Sequence, residues 1–359
     1  MKLKMLWTGE FDQQGYDEFS EYFDIQLAGM GVKGAQVFDK RLSGNDLVQA
    51  LAGVDVYLCG YEDVTKEVIK NCPDLKLILS VRDGPEENID LKACEECGIP
   101  VLSSAGRCAV SVAELTFALM LNLARPIIKL NNYIYDGKWT KENANEVRGM
   151  YSDYSIELFG KTVGIVGLGR NGYRVAQFCK PFHTKLIAYD PFVDKGKMKA
   201  EGIEIVDLDT LMSTSDFVVT LARVTPETKG MISRDKISMM KKSAVLINTG
   251  RGALIDNDAL LDAIENDQIR GAALDAHMTE PLGKDHRALH INKDKLILTP
   301  HMAGKTVERD WHQCQLLLAQ YRDYRKGRIQ RFPLTPGVME VEGFALHGGA
   351  LMGTSNQAE

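Results

Sequence analysis

Four side chains suited to proton transfer and anion binding follow strand-like stretches in the second half of the chain. His301 stands in LTPHMAG, Arg251 in INTGRGALID, and Asp275 and Glu280 share the stretch ALDAHMTEPL. An imidazole titrates near neutral pH and can give or take a proton, and a neighbouring carboxylate fixes its tautomer. A guanidinium can hold a planar carboxylate through two parallel hydrogen bonds. These residue types predict an acid/base site that also binds an anion.

The elements that must position these residues form two successive alternations of strand and helix patterns. One alternation occupies the first hundred residues, and the second begins at Lys161. Such alternation predicts parallel sheets covered by helices on both faces, and ligands bind at the carboxyl ends of such strands. The predicted fold class is therefore α/β, with two Rossmann-like doubly wound domains. The predicted strands are LKMLW, GAQVF, VDVYLC, LKLILSV and IPVLSS in the first domain, and TVGIVGLG, KLIAYD, DFVVTLA, AVLINTG, GAALDA and LILTP, six in all, in the second.

The segment between the two alternations contains one strongly apolar helix pattern. Ser111 and Glu114 have the spacing of a capping box at its start, and Pro126 follows its apolar run. The polar stretch from Tyr133 to Tyr154 that comes next is interpreted as a loop.

A glycine-rich turn lies at the start of the second alternation. In TVGIVGLGRNGYRVAQFC, Gly167, Gly169 and Gly172 follow a β-branched strand and open a helix pattern. Glycines there let the backbone approach a pyrophosphate, which the N–H groups of the helix N-terminus attract. Asp190 ends the next strand, where its carboxylate can bond both ribose hydroxyls and would repel a 2′-phosphate. The pattern predicts NAD, in preference to NADP, as the cofactor.

Composition and charge exclude several classes of partner. The chain of 359 residues has a net charge of −6 and scattered basic residues, which argues against nucleic acid. The uncharged apolar run Leu115–Ala124 is about half of what a membrane span needs, and the N-terminus has too short an apolar region for a signal peptide. Seven cysteines without framework spacing indicate reduced thiols and a cytoplasmic protein. Cys94 and Cys97 form a CEEC pair, but no second ligand pair follows, so no metal site is predicted.

The motifs together resemble those of the D-isomer-specific 2-hydroxyacid dehydrogenases, the family of phosphoglycerate, D-lactate and glyoxylate/hydroxypyruvate enzymes. The resemblance covers roughly residues 50–330 and is carried by G-L-G-R-N-G, N-T-G-R-G, D-x-x-x-x-E-P-L and T-P-H-x-A-G. It implies two Rossmann-like domains with a deep interdomain cleft and a homodimer built through the cofactor domain. The implied domains are a discontinuous substrate domain (1–110 plus 304–335), an NAD-binding domain (111–303) and a C-terminal tail (336–359).

The resemblance also implies a role for each motif residue in an NAD-dependent dehydrogenase acting on a small 2-hydroxy or 2-keto acid. His301 would be the acid/base, Glu280 its partner, Arg251 the ligand of the substrate carboxylate, and Asp275 a neighbour of the nicotinamide carboxamide. Backbone N–H groups around Arg82, Asp83 and Gly84 would also bind the substrate carboxylate. The complete predicted cofactor site comprises Gly167, Gly169, Arg170, Asn171, Gly172, Asp190, Pro191, Ala222, Arg223, Thr249, Asp275, His301 and Gly304.

The sequence departs from the family pattern at a few positions. His277 stands where relatives usually carry an aromatic or apolar residue, so packing or cleft lining is favoured over catalysis. Cys108 replaces an asparagine common in relatives, and Leu221 replaces a histidine, which puts the roles of those positions in doubt.

The loop CGYEDVT (59–65) bears on the choice of substrate. It brings Tyr61, Glu62 and Asp63 but no arginine, and its acids would repel a distal phosphate if they face the cleft. A small unphosphorylated 2-keto acid is therefore predicted over 3-phosphohydroxypyruvate. Arg82 or Arg107 could instead turn inward and supply the missing positive charge. The alternatives are a phosphoglycerate dehydrogenase and a non-catalytic NAD-sensing corepressor-like scaffold of the same fold. A formate dehydrogenase is disfavoured, because that branch pairs its histidine with glutamine.

Overall fold

The computed structural model describes residues 2–28 and 41–327. Within these ranges the strands are β1 Leu3–Trp7, β2 Phe23–Leu27, β3 Val56–Cys59, β4 Leu77–Ser80, β5 Val101–Ser103, β6 Thr162–Val166, β7 Lys185–Tyr189, β8 Ile203–Ile205, β9 Phe217–Thr220, β10 Val245–Asn248, β11 Gly271–Leu274 and β12 Leu296–Leu298. The α-helices are α1 Gln13–Ser20, α2 Gly44–Ala50, α3 Lys66–Lys70, α4 Leu91–Glu96, α5 Ala109–Ala124, α6 Ile127–Tyr135, α7 Ala144–Tyr154, α8 Arg170–Cys179, α9 Lys195–Ala200, α10 Leu208–Thr214, α11 Arg234–Ser238, α12 Asn257–Glu265 and α13 Arg309–Arg325.

The chain divides into two compact units. The first contains the residues up to Cys108 and those from Lys305 onward, and the second is Ala109–Gly304. The segment 336–359, which the sequence analysis assigns to a C-terminal tail, lies outside the described residues.

The first unit is built on a five-stranded parallel sheet in the order β2-β1-β3-β4-β5. Its central strands β3 and β4 are almost wholly apolar because helices cover both faces, as expected of a parallel sheet. Helix α13 supplies Cys314, Leu317, Leu318 and Tyr321 to one of the two cores. The last described helix therefore belongs to the same unit as the first strand.

The second unit has a seven-stranded parallel sheet in the order β12-β11-β10-β9-β6-β7-β8. Helix α5 buries Met120 and Leu123 against one face, and α12 buries Leu260 and Ile264 against the other. The strand order changes direction between β6 and β9, which is the switch point where doubly wound sheets bind ligands. The two parallel sheets confirm the predicted fold class, two doubly wound α/β units.

Two edge strands were absent from the sequence prediction. The second sheet has seven strands where six were predicted, because β8 has only three residues with Glu204 at its centre. In the first unit, β2 alternates buried or half-buried apolar residues with exposed Asp24 and Gln26, a weak signal for a strand. The strand predicted at GAQVF, residues 34–38, lies outside the described residues.

The helical segment between the two alternations also differs from the prediction. Helix α5 begins at Ala109, so Ser111 lies inside the helix and is not its N-cap. The helix ends at Ala124, before Pro126, as predicted. The prediction of a loop from Tyr133 to Tyr154 was wrong at both ends, because α6 extends to Tyr135 and Ala144–Tyr154 forms α7.

Among the described residues, no single helix is both long and apolar enough to cross a membrane, and only α5 and α6 taken together, bent by 64°, meet that test. Nor does any group of three His, Cys, Asp or Glu side chains in the described ranges lie close enough to hold a metal ion.

Candidate active site

The glycine-rich turn after β6 requires glycine for steric reasons at two of its three positions. Gly167 has φ +90°, and a Cβ there would lie 2.5 Å from the backbone of Ala222. A Cβ on Gly172 would lie 2.1 Å from the carbonyl oxygen of Gly167. At Gly169, in contrast, a Cβ would meet no atom within 4 Å. Open space therefore lies in front of the first turn of α8, where the N–H groups and the positive end of the helix dipole attract a phosphate.

Asp190 follows β7 and is hydrogen-bonded to the same turn. Its Oδ2 accepts from the backbone N–H of Leu168 at 2.8 Å, and its Oδ1 accepts from that of Phe192 at 2.9 Å. The carboxylate is half-buried. Asp190 thus stands beside the glycine-rich turn.

The neighbouring strand ends contribute Ala222 and Thr249. The backbone of Ala222 lies against Gly167 at the switch point, since a Cβ on Gly167 would come within 2.5 Å of it. The hydroxyl of Thr249 is buried and lies 2.6 Å from the hydroxyl of Thr116 on α5. Thr249 therefore offers a cofactor its backbone more readily than its hydroxyl.

The side chains of His301 and Glu280 meet in a direct hydrogen bond. Nδ1 of His301 lies 2.7 Å from Oε2 of Glu280, and Oε1 of Glu280 accepts from the backbone N–H of His277 at 2.8 Å. Burial raises the pKa of the Glu280 carboxyl, but the His277 N–H and the His301 ring outweigh that effect, so its pKa is lowered. A carboxylate held in its charged form stabilises an imidazolium beside it.

His301 itself has an uncommon backbone conformation, with φ +54°. A left-handed conformation costs an L-residue other than glycine roughly 1–2 kcal/mol. The buried carboxylate of Asp275 lies against this backbone and is hydrogen-bonded to the residues on both sides of His301. The sequence analysis assigned Asp275 to the cofactor and missed these contacts, because their donors are mostly backbone N–H groups that no side-chain pattern reveals.

Arg251 follows β10 and is exposed, and its Nη1 donates to the carbonyl of Gly250 at 3.1 Å. The next residue, Gly252, packs so closely on the chain after β11 that a Cβ would lie 2.1 Å from the carbonyl carbon of His277. The loops that carry Arg251 and Glu280 are therefore in direct contact.

The other predicted cofactor residues of the second unit lie at its surface or close to it. Arg170, Pro191 and Arg223 are exposed, and Asn171 and Gly304 are half-buried.

The predicted substrate loop belongs to the first unit, directly after β4. The backbone N–H of Arg82 donates to Ser80 Oγ at 3.2 Å, and Asp83 Oδ1 accepts from the N–H of Gly106 at 2.7 Å. The Arg82 N–H is already hydrogen-bonded. Of the three predicted backbone donors, the N–H groups of Asp83 and Gly84 therefore remain for a carboxylate.

The structure corrects the electrostatic argument drawn from loop 59–65. Glu62 is 1% exposed, and its Oε2 accepts from Thr8 Oγ1 at 2.7 Å, so it is directed into the first unit rather than toward solvent. The ring of Tyr61 lies 5.7 Å from the guanidinium of Arg41 and 5.6 Å from that of Arg82. Of the two predicted acids only Asp63 is exposed, and two cations stand beside Tyr61.

Two doubly wound sheets, with a phosphate-binding turn at the switch point of the second, define a dinucleotide-binding α/β protein. Residues 117–303 match the family model described as D-isomer specific 2-hydroxyacid dehydrogenase, NAD binding domain. The chain belongs to this family, and the match confirms the predicted resemblance.

Relatives and solved structures support the same assignment. The chain is 34% identical to a D-3-phosphoglycerate dehydrogenase of Methanocaldococcus jannaschii over 80% of its own length and 53% of that protein. It is 34% identical to a hydroxypyruvate reductase of Thermotoga maritima over 78% of its length and 87% of that protein. A D-lactate dehydrogenase from Aquifex aeolicus, solved with NAD and lactic acid, has 27% identity and a TM-score of 0.70, and covers 91% of this chain and 97% of its own. The chain spans only 48–58% of the length of three of the phosphoglycerate dehydrogenases it matches.

Proposed function

We propose that the protein is an NAD-dependent oxidoreductase that transfers hydride between the nicotinamide and a small D-2-hydroxy acid or its 2-keto acid. The observation that carries this proposal is the His301–Glu280 pair, with 2.7 Å between Nδ1 and Oε2. Because Nδ1 is engaged by the carboxylate, Nε2 is the nitrogen that gives a proton to the substrate oxygen during reduction and takes it back during oxidation. Glu280 stabilises the imidazolium form, which is the proton donor.

The residues of the glycine-rich turn fit a dinucleotide cofactor. Gly169 leaves open space before α8, while Gly167 and Gly172 allow a backbone approach that a side chain would block. When bound, NADH supplies the hydride. In this chain, the first turn of α8 would hold the pyrophosphate and Asp190 the ribose hydroxyls, which favours NAD over NADP.

The substrate carboxylate would be bound by Arg251. A guanidinium forks onto a carboxylate through two hydrogen bonds, which orients the adjacent keto group. We propose a small unphosphorylated acid as substrate, such as hydroxypyruvate or glyoxylate. The 87% coverage of a hydroxypyruvate reductase supports this choice.

A phosphoglycerate dehydrogenase is the second candidate, and one observation favours it. Arg41 and Arg82 both lie within 6 Å of the Tyr61 ring centre, which places two cations at this surface, with Arg82 also ion-paired to Glu87. Glu62 does not oppose them from the surface, because its carboxylate is buried.

We also propose a homodimer that forms through the cofactor unit. Helices α6 and α7 and the turn between them expose several large apolar side chains, which monomers seldom leave in one patch. They are Ile127, Ile128, Ile134, Tyr135, Trp139 and Met150. A second copy of the chain would bury them. A cytoplasmic location is proposed as well, since all seven cysteines are free thiols.

The deciding experiment is NADH oxidation by the purified protein with a panel of 2-keto acids that includes hydroxypyruvate, glyoxylate, pyruvate and 3-phosphohydroxypyruvate. The proposal expects the highest kcat/KM for an unphosphorylated acid, and oxidation of D- but not L-enantiomers in the reverse direction. A higher kcat/KM for the phosphorylated acid would favour the second candidate. NADH binding without turnover of any acid would instead indicate a corepressor-like scaffold.

A further inference from the structure

The loop that carries His301 is held in its left-handed conformation by hydrogen bonds to the chain after β11. The backbone N–H of His301, at φ +54°, donates to the carbonyl of Asp275 at 2.9 Å and to that of Thr299 at 3.0 Å. A non-glycine residue keeps such a backbone only where its surroundings fix it. The residues that fix it are therefore candidates for a role in the reaction.

The side chain of Asp275 makes further hydrogen bonds to the loop that carries His301. Its carboxylate is fully buried, and its Oδ1 accepts from Thr299 Oγ1 at 2.6 Å and from the N–H of Met302 at 2.8 Å. Its Oδ2 accepts from the N–H of Ala303 at 2.9 Å. One carboxylate thus joins the chain before His301 to the chain after it.

His277 forms one hydrogen bond to the loop of His301 and another to the side chain of Glu280. Its Nε2 lies 2.9 Å from the carbonyl oxygen of Thr299, and because a carbonyl only accepts, this nitrogen carries the proton. The backbone N–H of His277 donates to Glu280 Oε1 at 2.8 Å. His277 therefore ties the loop of His301 to the loop of Glu280.

We propose that Asp275 and His277 are positioning residues that fix the backbone of residues 299–303, so that Nδ1 of His301 stays on Glu280 and Nε2 faces the substrate. This inference rests on the proposed function, in which His301 is the acid/base. It gives the Asp275 side chain a task that is separate from contact with the nicotinamide. It also gives His277 a task that an aromatic hydrocarbon at the same position cannot perform.

The first test compares His277→Phe with His277→Gln. Phenylalanine keeps the ring but loses the donor, whereas the glutamine amide places a donor close to the position of Nε2. We expect kcat for the preferred 2-keto acid to fall about tenfold or more in His277→Phe and to recover in His277→Gln, with KM for NADH within about twofold of wild type in both.

A second measurement on the same two variants does not depend on catalysis. Nitrogen-15 spectra of the histidine rings, with His301→Ala used to assign the His301 signal, report which ring nitrogen carries the proton. We expect neutral His301 to be protonated at Nδ1 in the wild type and in His277→Gln, and to become a mixture of tautomers in His277→Phe. A wild-type kcat and spectrum in His277→Phe would overturn the role of His277, as would an equal loss in the phenylalanine and glutamine variants.

The second test addresses Asp275. An amide has a single acceptor oxygen, so in Asp275→Asn at least one of the three donors loses its acceptor. We expect kcat to fall while the Kd for NADH stays near that of wild type. A weaker Kd with unchanged kcat would make Asp275 a cofactor contact and overturn its positioning role.

Thr299→Val, with Thr299→Ser as its control, tests the same carboxylate if Asp275→Asn does not fold. Valine removes only the hydroxyl donor, and serine retains it. A smaller kcat in Thr299→Val that Thr299→Ser restores is the expected result, and equal kcat in both variants would contradict the proposal. Should the wild-type protein reduce no 2-keto acid, the proposed function fails, and the histidine spectra still decide whether residues 299–303 are held as inferred.

Discussion

The carboxylate of Glu280 is shared between two histidines, with Oε2 on the ring Nδ1 of His301 and Oε1 on the backbone N–H of His277. One oxygen therefore contacts the ring of the proposed proton donor, and the other holds the carboxylate in place. The lowered pKa of the Glu280 carboxyl follows from these two contacts, which prevail over its partial burial. The pair has the arrangement that general acid catalysis of ketone reduction needs.

Replacing His301 with alanine removes proton transfer and leaves the glycine-rich turn intact. We expect kcat to fall by about 10²–10⁴-fold, the usual contribution of a positioned acid or base. The Kd for NADH, measured by fluorescence titration, should stay near that of wild type. A variant that keeps more than about a tenth of the wild-type kcat would exclude the role of His301.

Replacing Glu280 with glutamine changes the pH dependence of reduction. In the proposed mechanism, reduction requires a proton on Nε2 of His301, and the Glu280 carboxylate stabilises the charged ring. Without that charge, kcat for reduction should fall more at alkaline than at acidic pH. The measurement is kcat against pH for both proteins. Superimposable alkaline limbs would show that the Glu280 charge does not act on the proton donor.

Glu280 also bears on stability, with a sign that follows from its pKa. Because folding lowers the pKa of this carboxyl, its contribution is fully present above the unfolded value of 4.5 and is lost as pH falls through the folded value. The difference in Tm between wild type and Glu280→Gln should therefore shrink as pH falls below 4.5.

Much of the fold could be predicted from the sequence, because central parallel strands are continuous apolar runs and glycine-rich turns have fixed spacing. Edge strands could not, since β8 is only three residues long and β2 has polar residues on its exposed side. Helix α7 was predicted as a loop because polar residues surround its short apolar stripe, although Val147, Met150, Tyr151 and Tyr154 have the i, i+3, i+4, i+7 spacing of a helix face.

At the site, the residue types were predictable and their partners were not. Motif spacing indicated His301, Glu280 and Arg251. The contacts of Asp275 with the N–H groups of Met302 and Ala303 depend on how two loops approach each other. The burial of Glu62 depends on Tyr57, at the neighbouring end of β3, and on Thr8, which lies 54 residues earlier in the sequence.

Cofactor preference tests the position of Asp190. A 2′-phosphate near this carboxylate would place like charges a few ångströms apart, and the repulsion should favour NADH over NADPH by at least about tenfold in kcat/KM. Steady-state kinetics with both cofactors and one keto acid measures the ratio. Equal values would remove Asp190 from the ribose site.

Two glycines of the phosphate-binding turn provide a matched pair of substitutions. In Gly172→Ala the new Cβ would lie 2.1 Å from a backbone oxygen, so the turn must distort and Tm should fall. In Gly169→Ala the Cβ meets no atom within 4 Å, so Tm should stay near wild type while the methyl group occupies space needed by the phosphates. Weaker NADH binding at unchanged Tm is the expected result for Gly169→Ala. Unchanged binding in this variant would mean that the pyrophosphate lies elsewhere.

Arg251→Lys tests which part of the substrate the guanidinium binds. Lysine retains the charge but cannot reproduce the two parallel hydrogen bonds of the arginine fork. The loss of a hydrogen bond to a charged group is worth roughly 1.5–3 kcal/mol, so kcat/KM should fall about 10- to 100-fold. Every 2-keto acid in the panel should lose the same factor, because all of them share the carboxylate. The Kd for NADH should not change, which serves as the control for folding. If the loss is confined to one substrate, Arg251 contacts the substrate side chain, and the carboxylate must then be bound by other donors.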